Sequence, residues 1–202
     1  MAPSVVPFGR PRGERADAAR NRELLLATAR EIIAEHGVAK VTMDGLAERA
    51  GLGKGTVFRR FGSRAGIFRA LLDADERAFQ QRVLAGPPPL GPGAAPVDRL
   101  VAYGRARIAF LLDHLDIARA AHDRDRPVAV AADATQLHIR VLLDQAGVRM
   151  PAMEGVAVQL TAALEGPLLL TLSATENLPL LEPDAGRMLC DGWAALIERI
   201  VR

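Results

Sequence analysis

Apolar residues recur at helical spacing along nearly the whole chain, and that periodicity excludes most folds before any motif is considered. Over residues 18–36 the predicted inner face is Leu24, Leu25, Thr28, Ala29, Ile32 and Ile33, with Gly37 as the C-terminal stop. A second, short helix follows Thr42, whose hydroxyl can cap it while Asp44 sits at its positive dipole end. Leu46, Ala47 and Ala50 form its inner face. Gly51-Leu52-Gly53 reads as a turn and residues 54–61 as a third short helix. Ser63 then caps a fourth helix running to Leu84, with Ile67, Phe68, Leu71 and Leu72 facing in. Residues 86–96 are too rich in Pro and Gly to be helical and read as a linker. Amphipathic stretches follow at 97–114, 117–122, 128–146, 155–175 and 184–201, with an alternating-charge loop at Asp123-Arg124-Asp125-Arg126. Nothing alternates as a half-buried strand does, so the predicted fold class is all-α.

The charge is divided unevenly. The net charge of the 202 residues is +2, but residues 1–86 carry 15 Lys+Arg against 10 Asp+Glu, and residues 87–202 carry 11 against 14. Residues 49–72 contain Arg49, Lys54, Arg59, Arg60, Arg64 and Arg69 and no acid, a footprint suited to a polyanion. The first 13 residues lack an apolar core and read as a disordered cytosolic arm, not an export signal. No apolar run approaches the roughly 20 residues that cross a bilayer. The single cysteine, Cys190, allows no intrachain disulfide and no multi-cysteine zinc cluster. The expected compartment is the cytoplasm, with no membrane association.

Residues 42–61 have the spacing of a helix-turn-helix: two short helices joined by a glycine-containing turn, the second free to enter a major groove. Val57 and Phe61 are predicted to bury one face of that second helix against Leu46, Ala47 and Leu52. The opposite face presents Lys54, Thr56 and Arg59, suited to phosphates and base edges. The N-termini capped by Thr42 and Ser63 are each predicted to receive a phosphate.

The run Lys54-Gly55-Thr56-Val57-Phe58-Arg59-Arg60-Phe61-Gly62-Ser63-Arg64, preceded by Ala50-Gly51-Leu52-Gly53, resembles the DNA-binding signature of the tetracycline-repressor (TetR/AcrR) family. The resemblance extends over residues 21–72; beyond that the chain is similar to the family only in helical layout. It implies an N-terminal three-helix DNA-binding domain and a C-terminal helical domain for dimerisation and ligand binding. It also implies that Gly55, Thr56 and Arg59 face base edges while Lys54, Phe58, Arg60 and Arg64 sit at phosphates. Two positions depart from the family pattern. Phe58 stands where tyrosine is usual, which removes a phenolic hydrogen bond, and Arg60 stands where histidine is usual, which makes the charge permanent. Gly55 offers no side chain, so specificity rests more on Thr56 and Arg59.

The expected organisation is a disordered basic arm at 1–16, a helix-turn-helix domain at 17–84, a linker at 85–96 and a ligand-binding, dimerising body at 97–202. The arm's Gly9-Arg10-Pro11-Arg12-Gly13 reads as a solubilising tail, with entry into a narrow minor groove as the alternative. In the resembled family the last two helices pair with those of a second subunit, which suits a symmetric operator. Here they carry Val158, Leu160, Leu164, Leu168, Leu172, Leu189, Trp193, Leu196, Ile197 and Ile200, and Gly166-Pro167 is expected to break or kink the first of them. Tyr103, Phe110, His114, His138, Met150 and Met153 are the candidate lining of a ligand pocket, although each of these residue types is commoner as ordinary core or surface.

Enzyme chemistry lacks its signatures. His36, His114, His122 and His138 form no HExxH and no metal spacing, and neither a nucleophile elbow nor a phosphate loop occurs. No metal or cofactor is expected, and Cys190 reads as an inert thiol. The sequence therefore predicts a homodimeric regulator that binds double-stranded operator DNA, a repressor released by a small-molecule effector. The alternative is an architectural DNA-binding protein that senses nothing.

Overall fold

The computed structural model describes residues 12–122, 132–173 and 184–202. The order is α1 (Arg12–His36), a 3₁₀ turn (Val38–Lys40), α2 (Met43–Arg49), α3 (Lys54–Phe61), α4 (Arg64–Ala85), α5 (Pro96–Asp113), α6 (Leu115–Ala121), α7 (Ala132–Gln145), α8 (Met153–Ser173) and α9 (Ala185–Ile200). No strand occurs among the described residues. The fold is all-α. The chain divides into two compact units, a head of residues 1–70 and a body of residues 71–202, so α4 runs through the boundary.

The head is built from short-range signals. Along α1 the buried stripe is Leu25, Leu26, Thr28, Ala29 and Ile32. Leu24, expected inside, is instead 46 % exposed, because the stripe centres between Leu25 and Ala29 and Leu26 takes the inner position. The helix begins at Arg12, inside the segment expected to be an unstructured arm, since 14–20 is a run of charged residues and alanines that favour helix. The rest of the arm, and the Asp123-Arg124-Asp125-Arg126 loop, lie outside the described residues. Gly37 closes α1, its N–H donating to the Ile33 carbonyl at 2.9 Å.

The turn between α2 and α3 needs Gly51, whose φ of +65° is costly for a residue with a Cβ. That conformation lets the Leu52 N–H reach the Ala47 carbonyl at 2.9 Å. Gly62, at φ +71°, ends α3 in the same way. Arg49 grips Glu35 through two guanidinium nitrogens at 2.6 and 2.5 Å, with Glu31 at 3.5 Å, tying α2 to α1. The hydrogen bond from Arg49 holds the Glu35 carboxyl below the usual carboxylate range.

In the body, α5 crosses α9 at Gly104. A Cβ there would lie 2.0 Å from the Trp193 indole nitrogen, which donates to the Leu100 carbonyl at 2.9 Å. The core gathers Phe79 from α4, Leu100 and Tyr103 from α5, Leu142 from α7, Leu160 from α8 and Ile197 from α9. The Pro/Gly-rich stretch is not a loose tether. Gly91 is buried, its N–H donates to the Pro87 carbonyl at 2.9 Å, and Leu90 packs against the body core. The apolar Leu90 among the prolines explains the difference, since its burial folds the segment back on the core.

α8 runs unbroken through Pro167, so of the expected break or kink the break does not occur. The Thr171 hydroxyl donates to the Pro167 carbonyl at 2.8 Å, adding a side-chain bond within the last turns. The stretch Met153–Leu172 is also long and apolar enough to cross a membrane, which the count of uninterrupted apolar residues passed over. Its Glu165 is buried in the body and paired with Arg107, so this helix serves as a core element. The apolar residues of α8 and α9 differ in burial, with Leu168, Leu172, Leu189 and Ile200 half-buried. Leu160, Leu164, Trp193 and Ile197 belong to the body's own core, whereas Val158, Leu169, Leu170, Met188 and Leu196 are exposed.

Candidate nucleic-acid interface

The short helix α3 presents most of the residues singled out as DNA-reading. Val57 is fully buried beside half-buried Phe61, which fixes the helix's rotation and turns Gly55, Phe58 and Arg59 outward. A Cβ built on Gly55 meets nothing within 4 Å, so the backbone of the first turn is open to close approach. Phe58 is 52 % exposed, a high value for a ring that can make no hydrogen bond of its own. Thr56 is half-buried, and its hydroxyl lies 3.5 Å from an Arg59 guanidinium nitrogen, a contact too long to hold Arg59. Of the acid-free basic stretch, Lys54, Arg59 and Arg60 thus form a cationic face on an exposed helix.

Three of the expected phosphate contacts are already engaged. Lys54 Nζ lies 2.9 Å from the Asp44 carboxylate, both side chains well exposed, so the pair is weak and can open. Arg60 donates to the Ala18 carbonyl of α1 at 2.7 Å from an exposed position. Arg64 differs most from expectation. Its Nε donates to the Val41 carbonyl at 2.6 Å and its Nη2 to the Val38 carbonyl at 2.8 Å, with the guanidinium 4.9 Å from the Phe68 ring centroid. The planar fork spans both carbonyls at the end of the 3₁₀ turn, adding a second donor to Val38, which already accepts from the Val41 N–H at 3.2 Å. Thr42 caps α2 by accepting from Gly45 N–H at 3.0 Å, and Ser63 accepts from Gly66 N–H at 3.1 Å. Both helix N-termini expected to receive phosphate therefore satisfy one donor internally.

The candidate pocket residues fall in the body. Tyr103, Phe110, His114 and His138 come together around Phe79, and Met153 packs at the edge of the same core. Met150 is 40 % exposed and joins none of them through a ring contact. The Tyr103 hydroxyl donates to Thr135 at 2.9 Å, and burial pushes its pKa up to about 12. His138 lies 4.6 Å from the Tyr103 ring, and burial, aided by Arg99, pushes its pKa down to about 4. His114 stacks on Phe110 at 4.2 Å and lies 3.2 Å from the Asp75 carboxylate. None of the six lines the apolar crevice formed by Ile108, Leu111, Leu112, Leu164, Pro167, Leu168 and Leu189, which has a free volume of about 10 Å³.

Sequence reasoning missed the strongest polar feature of the body. Arg107, 2 % exposed, donates to Glu165 at 2.7 Å and to Glu76 at 2.5 Å. Burial opposes its charge, but the two carboxylates outweigh that and hold its pKa above the usual value. Only the placement of a glutamate and an arginine inside otherwise apolar helical faces hinted at it. Burial raises the Cys190 thiol pKa, opposite to what redox activation needs.

The head, with its capped α2, its glycine turn and its exposed basic α3, is a helix-turn-helix unit. Residues 25–71 match the family model described as bacterial regulatory proteins, tetR family. A curated relative, the DNA-binding transcriptional repressor TetR of Mycobacteroides abscessus, is 35 % identical over 72 residues, and the match spans 36 % of this chain and 35 % of that protein. The match thus covers about a third of the curated relative's length. The fold continues into the body. A TetR-family regulator from Pectobacterium atrosepticum superposes with a TM-score of 0.65 at 20 % identity, over 96 % of each chain. A Rhodococcus TetR-family structure gives 0.59 at 20 % identity over 91 % of this chain and 100 % of that one. Residues 25–71 thus carry the likeness to the tetR family of bacterial regulatory proteins, and the body shares that family's fold.

Proposed function

We propose that this protein is a dimeric, sequence-specific DNA-binding transcription regulator of the cytoplasm, a repressor released from its operator by a small molecule. The observation that carries the reading is α3, an exposed helix with cations, an open glycine face and no acid, rotated outward by buried Val57. Arg59 and Thr56 read base edges, the backbone at Gly55 approaches the groove closely, and Lys54 and Arg60 turn to phosphates once their weak intramolecular partners are displaced. Arg64 acts differently. It holds the 3₁₀ turn and the start of α2 in place from within the head. The exposed apolar residues of α8 and α9 support pairing with a second copy, which would set two heads about one duplex turn apart.

A second reading, an architectural binder that senses nothing, is favoured by one observation. The crevice between α5, α8 and α9 has a free volume of about 10 Å³, room for one water at most, whereas ligand pockets run to several hundred Å³. A footprint on genomic fragments tests both readings at the DNA. Protection of a short pseudo-palindrome, with half-sites one helical turn apart, is the expected result, and even protection along any fragment would overturn specific regulation.

A further inference from the structure

Phe58 stands on a cationic helix with 52 % of its surface exposed, and an apolar ring in that place calls for something that covers it. Gly55 lies three residues before it and Gly62 four residues after it, so both fall on its side of the helix. A Cβ built on either glycine meets nothing within 4 Å. The ring therefore projects between two stretches of bare backbone. Val57, fully buried, fixes the rotation of α3 and keeps that flank outward. Lys54 and Arg59 are exposed on either side of the ring, and residues 49–72 contain no acid.

The chemistry of the ring selects among the surfaces that DNA offers. Phe58 has no donor for a phosphate oxygen, and the negative face of an aromatic ring disfavours an anion resting on it. On the base edges of the major groove the apolar feature is the 5-methyl group of thymine, which phenylalanine suits. Bare backbone at Gly55 and Gly62 permits close approach to the groove, so the ring reaches a base edge ahead of its neighbours on that flank. The surrounding cations favour DNA over an apolar protein surface as the occupant.

We propose that Phe58 reads a thymine in the half-site through its 5-methyl group, and so determines specificity beside Arg59 where a phosphate contact was expected. The inference rests on the reading of α3 as the helix that enters the groove, and it names one base which that helix selects.

Anisotropy titrations of the full chain on the footprinted duplex test it, with each thymine in turn replaced by deoxyuracil in both half-sites. The swap removes one methyl and leaves every hydrogen-bonding group of the base in place. At one thymine per half-site, wild type is expected to bind about fourfold more weakly for each methyl removed, or about fifteenfold for the pair. Phe58→Ala is expected to bind thymine and uracil duplexes equally at that position alone, and to keep its affinity for random duplex within about twofold. Phe58→Leu, which keeps an apolar end, is expected to retain part of the penalty. The absence of a methyl-sensitive thymine in wild type, or a penalty that Phe58→Ala leaves unchanged, would overturn the assignment. So would equal losses by Phe58→Ala on footprinted and random duplexes at wild-type helical content, since the ring would then be a backbone contact. Each of these results, with a short footprint intact, leaves the regulator reading standing, whereas even protection along every fragment overturns both.

Discussion

In the head the cations of α3 lie at the surface and the helix caps are local; in the body the strongest ion pair is buried and joins residues far along the chain. Thr42 caps Gly45, three positions on, whereas Arg107 meets Glu165 at a separation of 58. Lys54, Arg59 and Arg60 of α3 stay exposed, so a large anion can recruit them at small desolvation cost. The body keeps its charges dry and paired, so they fix one arrangement of helices and make any loss of a partner expensive. One region leaves its charges open to the outside, and the other uses them to fix one arrangement of helices.

The largest expected effect falls on the body. Arg107→Met leaves buried Glu165 and half-buried Glu76 without their cation and is expected to cost about 3–5 kcal/mol. Trp193 is the chain's single tryptophan and lies in the body, so its fluorescence during urea unfolding reports that loss directly. A change under about 1 kcal/mol would mean that the pair is solvated and the contrast with the head is false. Gly104→Ala should cost about 1–3 kcal/mol through overpacking at the Trp193 ring, and a blue- or red-shifted emission should accompany it.

Acid provides a further test of the body. The folded pKa of His138, about 4, lies below its ordinary 6.5, so the unfolded chain takes up the proton first. The contribution of His138 to stability is therefore complete above pH 6.5, is lost as pH falls from 6.5 to 4, and changes no further below that. His138→Gln should flatten the urea midpoint in that window, and an unchanged slope would place His138 in solvent.

Smaller effects should appear in the head. Arg64→Gln removes two charged hydrogen bonds to carbonyls and is expected to weaken DNA binding by about 1–3 kcal/mol. Because Arg64 points inward, the slope of affinity against salt should stay the same. A slope shallower by about 0.9 per subunit would instead show a lost phosphate contact. Thr42→Ala should destabilise the head by about 1 kcal/mol, seen as faster amide exchange in α2.

The same contrast explains what the sequence made legible. The helix-turn-helix was readable because its signals are local: Thr42 before Gly45, Gly51 at the turn, and Val57 and Phe61 one helical turn apart. The orientation of Arg64 was not, since it depends on two carbonyls 23 and 26 positions away. Tyr103, Phe110, His114 and His138 were named for their residue types, and the structure does gather them around Phe79. Arg107 and Glu165 escaped because a charge inside a helical pattern reads as solvated until its partner is brought to it. Leu160, Leu164, Trp193 and Ile197 could not be separated from Val158 and Leu196 by periodicity, because own core and interface both demand apolar faces.

The central claim is that the outward face of α3 reads DNA sequence. Anisotropy titrations of wild type and Arg59→Ala, against the footprinted site and against random duplex at one salt concentration, test it most directly. The account predicts that Arg59→Ala loses about 1–3 kcal/mol on the specific site and much less on random duplex, so that discrimination narrows. Equal losses on both duplexes would contradict it, making Arg59 a phosphate contact and placing the reading face elsewhere.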